Sequence, residues 1–155
     1  MPRGTDLTKY GEMRLLSEWV KGAYPGAEVW MRLRLGRAIP HDPAIEGDAA
    51  AAGMARVFAR YADAVVVTRD ELIVVEAKVK SSPGAIGQLL VYRDLVRWTP
   101  ELREYGDKPL VLQLLVAVED PAVTRLCAEH GIRQAVHKPA WLPEYLSNLS
   151  RRETT

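Results

Sequence analysis

The stretch Asp63-Ala-Val-Val-Val67-Thr-Arg-Asp-Glu71-Leu-Ile-Val-Val75-Glu-Ala-Lys78 decides the fold. Ala64 to Val67 and Leu72 to Val75 are apolar on every residue, so neither run has a solvent face. Strands of this kind lie in the middle of a sheet with helices above and below. Thr68 to Glu71 between them reads as a tight turn. With Arg69 and Asp70 as the loop, Thr68 faces Glu71, Val65 faces Val74 and Asp63 faces Glu76. Residues directly opposite across an antiparallel pair point to one face, and Lys78, two beyond Glu76, points there too. Two carboxylates and an ammonium then converge at the open end of two apolar strands. A three-residue loop would break this parity.

Charged groups at the ends of buried strands are costly unless they are paired or bind a metal. Oxygen donors in this number suit a hard cation, Mg²⁺ or Mn²⁺, which keeps several waters and takes further ligands from a phosphate. Such a cation lowers the pKa of a bound water, and an adjacent lysine positions or deprotonates that water and offsets transition-state charge.

Working outward, Leu7, Tyr10, Leu15, Leu16, Trp19 and Val20 recur at helical spacing. They predict a helix from about Thr5 to Ala23, capped by Thr5 or Asp6 and stopped at Pro25-Gly26. Glu12 falls on its buried stripe, where a carboxylate needs a reason. Val29, Met31, Leu33 and Leu35 alternate with Trp30, Arg32 and Arg34, a strand with one face left polar. Residues 36–62 read poorly. Pro40 and Pro43 mark a loop, and Met54, Val57, Phe58 and Tyr61 suit a short helix slightly better than an extended segment. Beyond the hairpin, Ser82 is placed to cap a helix with Pro83 in its first position, running to about Trp98. Gln88 and Tyr92, four apart, share a face and lean over the strand ends. Leu110 to Val118 is another two-sided strand, Pro121 to His130 a helix stopped by Gly131, Ile132 to Val136 a short strand, and Pro143 to Ser150 a last helix. The result is an α/β domain with a central mixed sheet flanked by helices.

Composition bounds the rest. At 155 residues the chain suits one domain with a real core. No segment has the apolar length of a membrane span or a signal core, and a single cysteine, Cys127, forms no internal disulfide, so a cytoplasmic protein with no membrane partner is expected. The net charge of +1 excludes a dedicated nucleic-acid coat but not a local basic track. Arg32, Arg34, Lys80, Arg93 and Arg97 are candidates for that track, with Arg56 and Arg60 behind them. His41, His130 and His137 show no metal-ligand spacing.

A Glu-x-Lys triplet alone is uninformative in a chain with 12 Glu and 6 Lys; its place at a buried strand end, opposite Asp63 and ahead of Gln88-x-x-x-Tyr92, gives it weight. Taken together, Glu12, Asp63, Glu76-Ala77-Lys78 and Gln88-Leu-Leu-Val-Tyr92 resemble the PD-(D/E)XK nuclease superfamily. The Gln-x-x-x-Tyr helix is similar to its RecB-like and phage exonuclease branch. The resemblance spans about Thr5 to Val118 and implies the restriction-endonuclease-like αβββαβ core. It implies that Asp63, Glu76 and the Ala77 carbonyl hold Mg²⁺ or Mn²⁺, that Glu12 is the acidic residue of the first helix, that Lys78 is the catalytic lysine, and that Gln88 and Tyr92 support the site. Ala62 stands where the superfamily has its proline. The function so implied is hydrolysis of DNA, in phage or prokaryotic DNA processing, by a homodimer or as part of a larger complex. The alternatives are a dimeric Holliday-junction-type resolvase and a non-cleaving DNA-binding or virion-assembly module.

Overall fold

The computed structural model describes residues 4–39 and 58–154, with side chains from Leu7 onward. Its elements are α1 (Gly4–Ala23), β1 (Glu28–Leu35), β2 (Arg60–Val67), β3 (Leu72–Lys80), α2 (Pro83–Leu95), β4 (Leu110–Val118), α3 (Pro121–Glu129), β5 (Ile132–Val136) and α4 (Leu142–Glu153). The five strands form one sheet in chain order. The pairs β1–β2 and β2–β3 are antiparallel, and β3–β4 and β4–β5 are parallel. This is an α/β fold with a mixed sheet flanked by helices.

The hairpin has the register read from its apolar runs. Ala64 pairs with Val75, Val65 with Val74, Val66 with Ile73 and Val67 with Leu72. The Thr68 N–H donates to the Glu71 carbonyl at 3.0 Å, and the Thr68 hydroxyl accepts from the Glu71 N–H at 3.0 Å, which closes a two-residue loop. Both sheet faces are covered, as the two-sided runs require. On one face, Val65, Val67, Val74 and Leu114 pack against Ala85, Ile86, Leu89 and Tyr92 of α2 and Val123 and Cys127 of α3. On the other, Ala64, Val66, Ile73, Val75 and Leu115 pack against Leu15, Leu16 and Val20 of α1 and Leu142 of α4. Each fully buried Leu, Ile or Val contributes about 1.5–3 kcal/mol by leaving water. The central strands are therefore a rigid base for whatever stands at their ends.

Three expectations need correction. First, β1 does not present one polar face: Trp30 packs on the α2 side together with Leu33 and Leu35, while Val29 packs on the α1 side and Met31 is exposed. The alternation changes phase at Arg32, whose φ of 52° is left-handed. β2 changes phase opposite it, because Ala62 belongs to the α2-side core and Ala64 to the α1-side core. The β1–β2 ladder pairs Met31 with Ala64 and Leu33 with Ala62 but skips Arg32 and Asp63 between them. Second, Tyr61 lies in strand β2 rather than in a helix. Met54, Arg56 and Val57 fall outside the described residues, as do the prolines of the preceding loop and His41. Third, Ser82 sits at the N-cap of α2 with Pro83 behind it, but its hydroxyl makes no capping bond. The helix itself ends at Leu95 and continues as a 3₁₀ turn through Trp98. The cap assigned to Thr5 or Asp6 falls outside the described side chains.

Candidate functional site

Three carboxylates are buried at one end of the central strands: Glu12 at 6% exposed, Asp63 at 3% and Glu76 at 2%. α1 delivers Glu12 because its neighbours Leu15 and Leu16 anchor that helix face to the sheet. Asp63 stands where the β1–β2 ladder skips a residue and beyond the end of the pairing to β3, which begins only at Ala64–Val75. Its Oδ2 takes the vacated place on the ladder by accepting the Ala77 N–H at 2.9 Å. Glu76 and Lys78 follow on β3, paired in parallel with Leu114 and Val116 of β4.

Two ammonium groups thread these carboxylates into one chain of charges. Lys9 Nζ lies 3.1 Å from Asp63 Oδ1 and 3.8 Å from Glu12 Oε2. Lys78 Nζ lies 3.7 Å from Glu12 Oε1 and 3.3 Å from Glu76 Oε1. Three carboxylates against two lysines leave one negative charge uncompensated when all are ionised. The Tyr92 hydroxyl stands 3.2 Å from Glu76 Oε2 and 3.1 Å from the Tyr61 carbonyl. It has one proton to give, so donation to ionised Glu76 competes with donation to the main chain.

The electrostatics follow from this crowding. Burial, reinforced by the neighbouring charge of Asp63, pushes the Glu76 carboxyl up to about 7, against the pull of Lys78 and Tyr92. Burial raises Glu12 as well, opposed by Lys78 and Lys9. Burial disfavours the Lys78 charge, but Glu12 and Glu76 outweigh it, so that ammonium is held charged above its ordinary range. Burial and the facing carboxylate raise the Tyr92 phenol, which stays neutral and a donor.

Of the residues expected here, the structure brings together Glu12, Asp63, Glu76, Ala77 (through its N–H), Lys78 and Tyr92. Gln88 is not among them: it is exposed and lines a shallow cavity of about 250 Å³ with Arg60, Gly87, Val91 and Tyr92. The basic track is also divided. Arg93 and Arg97 line a cavity with Leu72 and Leu110, which begin β3 and β4, so they lie at the opposite end of the sheet from Lys78. Arg97 is further engaged by Asp94 at 2.8 Å. His137 pairs with Glu18 at 3.9 Å, and buried Cys127 has its thiol raised by burial; neither reaches the site. Lys9 is the residue that sequence reading missed. Its signal was available, since a lysine three residues before a buried glutamate shares its helix face.

Among the described residues, no three groups of the carboxylate, imidazole or thiol kind stand close enough to form a ready-made metal cage. Each lysine ammonium lies 3.1–3.8 Å from two of the carboxylates. The donor set nonetheless fits a hard divalent cation, which takes one or two carboxylates and completes its shell with water and phosphate oxygens. Asp63 and Glu76 are the residues that would hold it, with Glu12 beside them. Among the described residues no helix is long and apolar enough to cross a membrane. No family model, no curated protein and no solved structure matches the chain.

Proposed function

We propose that this protein is a metal-dependent nuclease that hydrolyses phosphodiester bonds of DNA. The observation that carries the reading is the buried constellation of Asp63, Glu76, Glu12 and Lys78 at the ends of otherwise apolar strands. Isolated buried charges are normally eliminated or neutralised, and a cluster with perturbed protonation is a functional-site signal. A bound Mg²⁺ or Mn²⁺ supplies a water of lowered pKa and neutralises charge on the phosphate. Asp63 and Glu76 would hold the cation. Lys78, kept charged by its carboxylate neighbours, donates hydrogen bonds to the attacking water and to the phosphate oxygens, where charge grows in the transition state. Tyr92 fixes the Glu76 carboxylate, and the Ala77 N–H fixes that of Asp63. Water attacks phosphorus and releases a proton to solvent, the bond to the leaving oxygen breaks, and that oxygen takes a proton from solvent.

The test is cleavage of linear and circular, single- and double-stranded DNA, and of RNA, with Mg²⁺ or Mn²⁺, wild type beside Asp63→Ala and Lys78→Ala. Cutting by wild type alone supports the reading. A wild type as inert as both variants on every substrate overturns it in favour of a non-cleaving binding or assembly part.

Lys9 gives this reading a second handle. Its ammonium competes with any cation for Asp63 and Glu12, and at 43% exposed it can swing to solvent. Lys9→Met is therefore expected to lower the metal-free melting temperature and to tighten Mn²⁺ binding by roughly 5–10-fold, since coupling between competing ligands is commonly about 1–3 kcal/mol. Calorimetric titration measures both proteins. Equal or weaker Mn²⁺ binding by the variant would show that Lys9 helps to build the cation site instead of blocking it.

A further inference from the structure

Arg32 is the one non-glycine residue with a positive φ among the described residues, and it sits in a strand, opposite the register position of Asp63. Glycine adopts this conformation without steric cost, and an arginine does not. Strain of this kind persists where the surroundings over-determine it, and such places cluster at functional sites. The kink sets the Arg32 guanidinium 5.7 Å from the centroid of the Tyr61 ring. Tyr61 is 43% exposed and Phe58, three residues earlier, is 59% exposed. Arg60, between them, opens onto the cavity shared with Gly87, Gln88, Val91 and Tyr92. Neither Arg32 nor Arg60 is paired with a carboxylate among the described residues. Tyr61 is tied to the carboxylates twice: it stands two residues before Asp63 on β2, and its carbonyl accepts from the Tyr92 hydroxyl that also reaches Glu76.

Exposed aromatic rings flanked by uncommitted guanidiniums match a ligand with flat π faces and a chain of negative charges. A duplex hides its base faces in the stack, whereas a single strand offers them. We propose that Tyr61, with Arg32 across its ring and exposed Phe58 three residues before it in the chain, is a stacking platform for unpaired bases, and that Arg60 takes the adjoining phosphate, so that the site acts on single-stranded nucleic acid. What becomes of the bound strand rests on the nuclease reading; the binding itself does not.

Fluorescence anisotropy with a labelled oligothymidylate, a labelled oligouridylate and a labelled hairpin duplex, in buffer with chelator, tests the platform apart from cleavage. Wild type is expected to bind a single strand tighter than the duplex. Tyr61→Ala weakens single-strand binding at least 5-fold, a typical loss for one stacked base, and Tyr61→Trp restores it. Arg32→Gly weakens it similarly while raising the melting temperature by about 2–4 °C, because glycine relieves the left-handed strain. A structural role for the arginine would lower the melting temperature instead. Single-strand binding unchanged in both Tyr61→Ala and Arg32→Gly, or a duplex bound as tightly as the single strands, overturns the proposal. Preference between the two oligomers distinguishes DNA from RNA. A protein that shows these binding losses yet cuts nothing retains the platform and loses the nuclease, and one that cuts with Tyr61→Ala indistinguishable from wild type in binding does the reverse.

Discussion

Glu76→Gln is expected to make the metal-free protein more stable and to abolish its activity. The Glu76 carboxyl is buried beside Asp63 and titrates near 7, against an ordinary 4.5. Between those values the folded protein holds a proton that the unfolded chain has lost. Stability therefore falls as pH rises from about 4.5 to 7 and stays low above. A shift of this size corresponds to about 3 kcal/mol. Glutamine keeps the shape and carries no charge to desolvate: its oxygen accepts from Lys78, and its amide N–H donates to the Tyr92 hydroxyl, which then gives its own proton to the Tyr61 carbonyl. At pH 8 in chelator the variant should melt about 6–12 °C above wild type, and at pH 4.5 the two should nearly coincide. With Mn²⁺ or Mg²⁺ added, the variant should lose cleavage by at least about 10³-fold, for want of a charged ligand. A Glu76→Gln protein less stable than wild type at pH 8 would mean that the ion pair with Lys78 outweighs burial, and that the carboxylate is there for structure.

Lys78→Ala should separate chemistry from metal binding. Its ammonium is not a ligand, so the variant should bind Mn²⁺ at least as well as wild type. Loss of a charged donor aimed at the reacting phosphate costs about 3–4 kcal/mol, or about 10²–10³ in rate. The metal-free fold should also weaken, because Lys78 compensates both Glu12 and Glu76. Single-turnover cleavage with Mg²⁺, beside a Mn²⁺ titration, reads both effects. Cleavage within tenfold of wild type would remove Lys78 from the chemistry. Loss of metal binding together with cleavage would reduce it to a structural counter-ion.

Much of this was legible because the hairpin is an extreme pattern. Two uninterrupted apolar runs around a four-residue turn fix strand type, sheet position and register together. The register holds from Ala64–Val75 to Val67–Leu72, but the pairing of Asp63 with Glu76 read from it does not form, because β2 changes phase at Asp63, whose carboxylate takes the Ala77 N–H instead. Glu12 and Tyr92 were legible for a related reason: each is a polar group on a stripe whose other members are core. Gln88 lines one cavity with Tyr92, as four-residue spacing implies, but it is exposed: the buried stripe of α2 is Ala85, Ile86, Leu89 and Tyr92, and Gln88 falls on its margin. Arg32 was illegible. Nothing in Trp30-Met-Arg-Leu33 marks a left-handed residue, and the phase change it causes put Trp30 in the core and Met31 outside. The division of the basic track was hidden too, because helical spacing says which face a residue occupies but not which end of the sheet it reaches.

The most direct measurement of the central claim is a calorimetric titration of Mn²⁺ into wild type and Asp63→Asn at several pH values, with melting temperatures taken alongside. Wild type should bind, and its affinity should rise about tenfold per pH unit below 7, because Glu76 must release a proton to serve as a ligand. At 100 times its Kd the metal should stabilise the fold by about 2.7 kcal/mol, and Asp63→Asn should show neither heat nor shift. A wild-type protein with no Mn²⁺-linked heat or shift at any pH, or an Asp63→Asn protein that binds as well as wild type, would contradict the assignment of these carboxylates to a metal.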